Sequence, residues 1–231
     1  MKSLSVIFPV YNERESIGHV LHEWSKVLRD LKISYELVVC EDGSTDGTSE
    51  FLRIIKKKYR LTLNQSTARR GYGGAVLSGI KTAKHPLILC VDSDGQCDPK
   101  DVEKFLKMFK KGTVLIGWRT HRQDSHKRIL FSRGFKYVFS ILFPNLLHDP
   151  SAPFVLFEKH TTKKLSHLLG FLKEGFWWGF VGACLRTGIP VIELPIHHRK
   201  RLVGNTQVYR PGKIPGIAMR NLFGLLKLRF A

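Results

Sequence analysis

Asp92-Ser93-Asp94-Gly95-Gln96 follows directly on the apolar run Pro86-Leu87-Ile88-Leu89-Cys90-Val91. Carboxylate oxygens suit hard divalent cations, and a cation held by one or two of them usually shares its remaining positions with substrate phosphates. A short aliphatic run bounded by turn residues reads as a buried strand, and open α/β sheets collect ligands at the carboxyl ends of such strands. Two readings of the loop stand side by side: a metal–diphosphate site, or a solvated turn capping the helix that begins near Pro99. Three further loops have the same placement: Pro9-Val10-Tyr11-Asn12-Glu13, Glu41-Asp42-Gly43-Ser44-Thr45-Asp46-Gly47-Thr48 and Arg69-Arg70-Gly71-Tyr72-Gly73-Gly74-Ala75. Taken singly, each has a structural explanation: Asn12 or Glu13 starts a helix, Asp46 is an N-cap, the glycines are a turn. Four such loops in order at strand ends point to one cleft.

The elements that must position these loops alternate. Residues 4–10, 36–40, 60–63 and 87–91 read as strands, while Ile17, Val20, Leu21, Trp24 and Leu28 recur at helical spacing. Helices are expected over 48–59 and 73–84, and Asp98-Pro99 opens another that carries Val102, Phe105, Leu106 and Phe109. Strand–helix alternation predicts an α/β fold with a mostly parallel sheet flanked by helices. Further on, 113–117, 153–158 and 191–196 read as strands, with 177–186 helical between the last two. Residues 129–143 form an amphipathic helix candidate with Phe131, Phe135, Val138 and Leu142 on one face and Arg133 and Lys136 opposite. The tail from 213 to 230 groups Met219, Leu222, Phe223, Leu226 and Phe230, flanked by Arg220 and Lys227. With no internal repeat or low-complexity linker, the expected organisation is one domain over 1–212 and an amphipathic extension over 213–231.

The 231 residues suffice for a substantial core. They carry 38 basic and 19 acidic side chains, a net charge of +19 that calls for an anionic partner: nucleic acid, an acidic membrane or phosphorylated substrates. Cys40, Cys90, Cys97 and Cys184 lack metal or redox spacing and read as reduced, interior thiols of a cytosolic protein. The first strand starts at once, so no signal peptide is expected. The longest uncharged apolar runs, 137–147 and 175–185, have 11 residues each, well short of the ~18 needed to span a bilayer.

These motifs resemble those of inverting family-2 glycosyltransferases with the GT-A fold. Pro-Val-Tyr-Asn-Glu, the Glu41-Asp42-Gly43-Ser44 segment and the Asp-x-Asp loop are that family's markers, and the likeness covers roughly residues 3–207. It narrows to the dolichol-phosphate mannosyltransferase and polyprenyl-phosphate glycosyltransferase group. Asp92-x-Asp94-x-Gln96 with Pro99 resembles that group's metal loop, Gly117-Trp118-Arg119 its Gly-Ser-Arg, and Arg128-x-x-x-Ser132 its arginine–serine pair. Asp149-Pro150-Ser151-Ala152-Pro153-Phe154 is similar to its Asp-x-x-Ser-Gly-Phe, and Arg201-Leu202-Val203-Gly204-Asn205-Thr206-Gln207 to its Arg-x-x-Gly-x-Ser-Lys. Trp118, Ala152-Pro153 and Gln207 depart from the pattern.

The resemblance implies that Pro9, Tyr11, Glu13, Asp42, Arg70, Gly71 and Asp92 serve the nucleotide sugar. It implies that Asp94 and Gln96 hold Mg2+ or Mn2+ against the donor diphosphate. Arg119, Arg128 and Arg201, with Ser132, would grip a polyprenyl phosphate, guanidinium matching phosphate oxygens two at a time. Transfer to a hydroxyl needs a carboxylate base. The only Glu-Asp pair, Glu41-Asp42, lies on the nucleotide side, leaving Glu174 and Asp149 as alternatives; a phosphate acceptor needs no base. The implied enzyme is peripheral at the cytosolic membrane face, with the 129–143 helix and the tail in the headgroup region and room for a membrane-spanning partner subunit. Two readings compete: a family-2 transferase acting on a saccharide hydroxyl, and a basic nucleic-acid-binding protein. Against the second, a nucleic-acid surface interleaves basic and stacking aromatic residues, whereas these strand-end loops are acidic, so no nucleic acid is expected as partner.

Overall fold

The computed structural model describes residues 3–120, 126–171, 175–202 and 214–231. Among them, seven strands form one sheet in the order β3-β2-β1-β4-β6-β5-β7. These are β1 (Ser3–Val10), β2 (Ser34–Asp42), β3 (Thr62–Ser66), β4 (Leu87–Val91), β5 (Val114–Thr120), β6 (Phe154–Glu158) and β7 (Val191–His197). The helices are α1 (Ile17–Asp30), α2 (Thr48–Tyr59), α3 (Gly71–Thr82), α4 (Val102–Met108, entered through a tight turn at Pro99–Asp101), α5 (His126–Leu142), α6 (Lys159–Lys164), α7 (Phe176–Arg186) and α8 (Ile214–Phe230).

Side chains alternate across a strand, and the inner strands are apolar on both faces. Leu4, Val6 and Phe8 of β1 and Leu89 and Val91 of β4 pack with Trp24 and Phe105 on one side. Ile7, Ile88 and Cys90 pack with Val76 and Ile80 of α3 on the other. Gly79 lets α3 lie close to the sheet, because a Cβ there would sit 2.5 Å from Ile7 Cγ2 and 2.7 Å from Cys40 Sγ. All four cysteines are buried and unpaired, as expected.

The expected α/β architecture is present, with one feature the sequence reading did not specify. β6 runs antiparallel to both neighbours, Val91 pairing with Phe154 and Ile116 with Val155. It therefore starts at the sheet edge where β4 and β5 end, and the turn preceding it lies between the Asp92 loop and Trp118-Arg119. A second difference is α6, whose sequence Lys-His-Thr-Thr-Lys-Lys carries no apolar period.

The apolar face expected on the helix after β5 is corrected. Phe135 and Leu142 pack against the core beside buried Phe139 and Phe143, while Phe131 is exposed together with Leu130, Tyr137 and Ile141. The helix touches the core along one stripe and keeps a second apolar stripe outside. α8 packs on α7 and α5, burying Leu225 and Leu228 and exposing Met219, Phe223 and Phe230. The boundary drawn between 212 and 213 falls outside the described residues. Among the described residues, no helix is long and apolar enough to cross a membrane.

Candidate active site

The loops after β1 and β2 are stapled to each other. Asn12 N–H donates to Ser44 Oγ (2.9 Å) and Asn12 Oδ1 accepts from Thr45 N–H (2.9 Å). Asn12 has φ +53°, the left-handed region that Asn tolerates better than most residues. Glu13 N–H donates to Thr48 Oγ1 (3.0 Å) and Arg14 N–H to Asp46 Oδ2 (3.2 Å). Asp46 also accepts from Thr48 N–H (3.0 Å) just before α2, but the N-cap position the sequence allowed it is taken by Gly47. Burial would raise the Asp46 pKa, but hydrogen bonds from Thr48 and Arg14 outweigh that and hold it below the ordinary value.

Asp42 supports the glycine-rich loop, accepting from Arg70 N–H (2.7 Å) and Gly71 N–H (2.9 Å). Arg70 directs its guanidinium inward to Asn64 Oδ1 (3.1 Å), Ser78 Oγ (2.9 Å) and the Glu41 carbonyl (3.1 Å), bracing the loop from beneath. The cation turned toward Tyr11 is its neighbour Arg69, stacked 3.7 Å from the ring centroid. Arg69 stood in the quoted motif, but nothing in its spacing distinguished it from Arg70.

At the end of β4, Ser93 Oγ donates to the Pro9 carbonyl (2.8 Å), tying this loop to the first. Asp94 is buried, and its Oδ1 accepts from Gln96 N–H (3.1 Å) across the turn at Gly95, whose φ is +78°. The segment after β7 lies along this loop. Arg199 N–H donates to the Gln96 carbonyl (2.8 Å), Gln96 Nε2 to the Arg199 carbonyl (3.3 Å) and Leu202 N–H to the Asp94 carbonyl (3.3 Å). Arg201 thereby reaches Asp94 Oδ2 at 3.2 Å with one nitrogen and Glu13 with the other. Three residues 188 positions apart at the extremes thus meet at one point. Burial raises the Glu13 pKa, against the opposing pull of Ser16 and Arg201.

Asp92 Oδ1 accepts from Tyr72 Oη (2.8 Å), which accepts from Trp177 Nε1 (2.8 Å). Burial, with the Asp92 charge added, keeps the phenol well above its ordinary pKa, so it remains a donor. Tyr72 and Trp177 were not among the expected site residues; only the position of Tyr72 within the glycine-rich motif hinted at it.

Further along the same edge, beyond β6, Arg119 of β5 and Asp149 form a bidentate pair with Nε–Oδ2 2.6 Å and Nη2–Oδ1 2.9 Å, each side chain 7% exposed. Ser151 Oγ lies 3.2 Å from Arg119 Nη2. Glu193 of β7 fastens this turn, accepting from His148 N–H (2.7 Å) and Asp149 N–H (2.6 Å), with His148 Nδ1 at 2.8 Å. The His148 ring stacks on Trp118 with centroids 4.0 Å apart. Arg119, Asp149 and Ser132 line one cavity of about 310 Å3. Arg128 falls in α5, but its side chain is outside the described residues, as are Glu174 and residues 203–207. Neither His148 nor Glu193 was expected, for no spacing joins positions 45 apart.

The donor set at β4 fits a divalent cation. Asp92, Asp94 and the Gln96 amide supply hard oxygens, and a guanidinium between Asp94 and Glu13 shows that positive charge is stabilised there. Among the described residues no cluster of three His, Cys, Asp or Glu side chains is able to hold an ion alone. This suits a cation completed by ligand phosphates. The thiols are no nucleophiles: burial pushes Cys40 up to about 12 and Cys90 and Cys97 well above their ordinary value.

A mostly parallel sheet of this order, with an acidic turn closing its central strand, defines a GT-A-type glycosyltransferase fold. The chain belongs to glycosyl transferase family 2, whose family model matches residues 5–177. It is 29% identical over 214 residues to a dolichyl-phosphate beta-glucosyltransferase of Dictyostelium discoideum, covering 84% of this chain and 65% of that protein. An undecaprenyl-phosphate 4-deoxy-4-formamido-L-arabinose transferase of Yersinia enterocolitica is 26% identical over 170 residues, covering 72% of this chain and 52% of its own length. The chain thus spans about half to two thirds of these curated relatives. In fold it is similar to glucosyl-3-phosphoglycerate synthase of Mycobacterium tuberculosis, solved with Mn2+, UDP and phosphoglyceric acid. There the TM-score is 0.73 at 17% identity, covering 99% of this chain and 78% of that one.

Proposed function

We propose that the chain transfers a sugar, with inversion at the anomeric carbon, from a nucleoside-diphosphate sugar to a polyprenyl phosphate at the cytosolic membrane face. One observation carries the reading: the acidic turn after β4 and a basic, aromatic-walled cavity after β5 share one sheet edge, separated only by the start of β6. The relatives' names, both transferases of prenyl-phosphate sugars, agree with it.

The loops holding Pro9, Tyr11, Glu13 and Asp42 would seat the nucleotide. Asp94 and Gln96, with Asp92 beside them, would hold Mg2+ or Mn2+, whose charge would stabilise the leaving diphosphate. Tyr72 and Trp177 orient Asp92, and Arg201 offers a guanidinium to the phosphates once they arrive. Asp149 is a poor base for a hydroxyl acceptor, because both its oxygens face Arg119. A phosphate monoester is already ionised near neutrality, and its oxygen attacks the anomeric carbon with no proton to remove. Exposed Leu130 (70%), Tyr137 (71%) and Ile141 (64%) on α5, with Phe223 (57%) on α8, suit insertion among headgroups beside Arg220 and Lys227. The same stripes also fit a membrane-spanning partner subunit.

The test is a panel of nucleotide sugars assayed with a polyprenyl phosphate and with saccharide acceptors, with and without Mn2+. Metal-dependent transfer to the lipid phosphate is expected, abolished in Asp94→Ala. Transfer to saccharides alone, or full activity in Asp94→Ala, refutes the proposal.

A further inference from the structure

The segment after β7 is fastened to the acidic turn on both sides of Arg201. Upstream, Arg199 N–H donates to the Gln96 carbonyl (2.8 Å) and Gln96 Nε2 to the Arg199 carbonyl (3.3 Å). The Arg199 guanidinium is anchored on Glu23 (3.1 Å) and Asp98 (2.7 Å). Downstream, Leu202 N–H donates to the Asp94 carbonyl (3.3 Å), and the Leu202 side chain lies over Gly95, where a Cβ would meet its Cδ1 at 2.5 Å. With its flanks held, Arg201 delivers its guanidinium to Asp94 Oδ2 (3.2 Å) and to Glu13. Asp94 Oδ1 accepts from Gln96 N–H (3.1 Å), so both oxygens of this carboxylate are engaged. The Arg201, Asp94 and Glu13 side chains are 21%, 11% and 10% exposed, and partly buried charges are screened little by solvent ions. A divalent cation lies about 2.0–2.6 Å from a carboxylate oxygen. Bound to Asp94 Oδ2, it would stand within about 5 Å of a guanidinium that never deprotonates, and like charges so close repel.

We propose that Arg201 is an internal occupant of the cation site: its guanidinium and a divalent cation compete for Asp94, the side chain turning aside while residues 199 and 202 stay in place. The inference rests on the cation assignment in the reaction proposed above and adds to it a competitor built into the chain. Before ligands arrive, Arg201 holds Glu13 and Asp94 together across the cleft. A cation on Asp94 releases the guanidinium toward the donor phosphates, so one side chain serves both states.

The experiment titrates Mn2+ alone into the full chain and reads the unbound ion by electron paramagnetic resonance. The wild type is compared with Arg201→Gln, Arg201→Met, Arg201→Lys and Asp94→Ala, each checked for folding by circular dichroism. Arg201→Gln keeps a neutral donor toward Glu13, so the test survives if the apolar variant does not fold. Removing a charged, hydrogen-bonded competitor is worth about ten- to a hundredfold. The two neutral variants should therefore bind Mn2+ about tenfold or more tighter than the wild type, while Arg201→Lys, which keeps the charge, should stay within about threefold. A residue that merely braces the turn gives the opposite sign: neutral variants that bind Mn2+ equally or more weakly overturn the proposal. Asp94→Ala separates the two levels. Mn2+ binding that survives it refutes the cation site of the proposed reaction, whereas binding lost there yet no tighter in the neutral variants refutes the competition alone.

Discussion

Replacing Asp149 by alanine removes the carboxylate that faces Arg119, and the size of the effect follows from its surroundings. The carboxylate meets Arg119 through two charged hydrogen bonds of 2.6 and 2.9 Å, and both side chains are 7% exposed. Ser151 Oγ at 3.2 Å carries no opposite charge. Removing one member of such a buried pair leaves an uncompensated ion and costs about 3–5 kcal/mol. In a domain of this size 1 kcal/mol corresponds to about 2–4 °C in Tm, so a fall of about 6–20 °C is expected. Replacing both members with apolar residues of similar volume is often neutral or better. Arg119→Met/Asp149→Leu should therefore recover most of the loss. Urea and thermal unfolding of the full chain, followed by circular dichroism at pH 7, read both variants. A loss below about 1 kcal/mol in Asp149→Ala, or a double variant less stable than the single one, would refute the reasoning, since either places the pair in solvent or in a larger network.

Tyr72→Phe removes the hydroxyl between Trp177 and Asp92. It should cost about 1–3 kcal/mol in urea unfolding by orphaning a buried N–H, and raise the donor KM while leaving the acceptor KM unchanged. At the opposite end of the sheet, Glu36 accepts from Ser5 Oγ (2.6 Å), Thr62 Oγ1 (3.1 Å) and Lys84 N–H. Burial opposes them, yet these hydrogen bonds hold its pKa below the ordinary 4.5. A depressed folded-state pKa contributes stability that is present above 4.5 and lost as pH falls through the folded value. Glu36→Gln should therefore lower the urea midpoint at pH 7 and converge with the wild type in acid; parallel pH profiles would contradict this.

The loops after β1, β2 and β4 were legible because they are local. A strand, a turn and a helix start lie within a dozen residues, and Pro9, Glu13, Asp42, Asp92 and Asp94 are placed by strands whose apolar runs are unmistakable. The cavity after β5 depends on distant pairings. Asp149 meets Arg119 across 30 residues and Glu193 across 44, joined only because β6 inserts antiparallel, and no local pattern specifies strand direction. The helix after β5 misled for a physical reason: it carries two apolar stripes, separated by polar and basic positions. Sequence periodicity alone did not separate the stripe bearing Phe135, Phe139 and Phe143 from the one bearing Leu130, Tyr137 and Ile141. The positions of Arg133 and Lys136 followed from the same ambiguity.

The reversed strand at the middle of the sheet has an evolutionary consequence. Most of what would recognise the activated sugar is built before residue 97, joined from later in the chain by Trp177 and Arg201, while the walls of the neighbouring cavity come mostly from β5, the turn before β6, and α5. Between the two stands one ladder, β4 against β6. Insertions or swaps around positions 143–153 can therefore reshape one compartment while the other keeps its geometry, which gives a single scaffold a way to exchange recipients without relearning its currency.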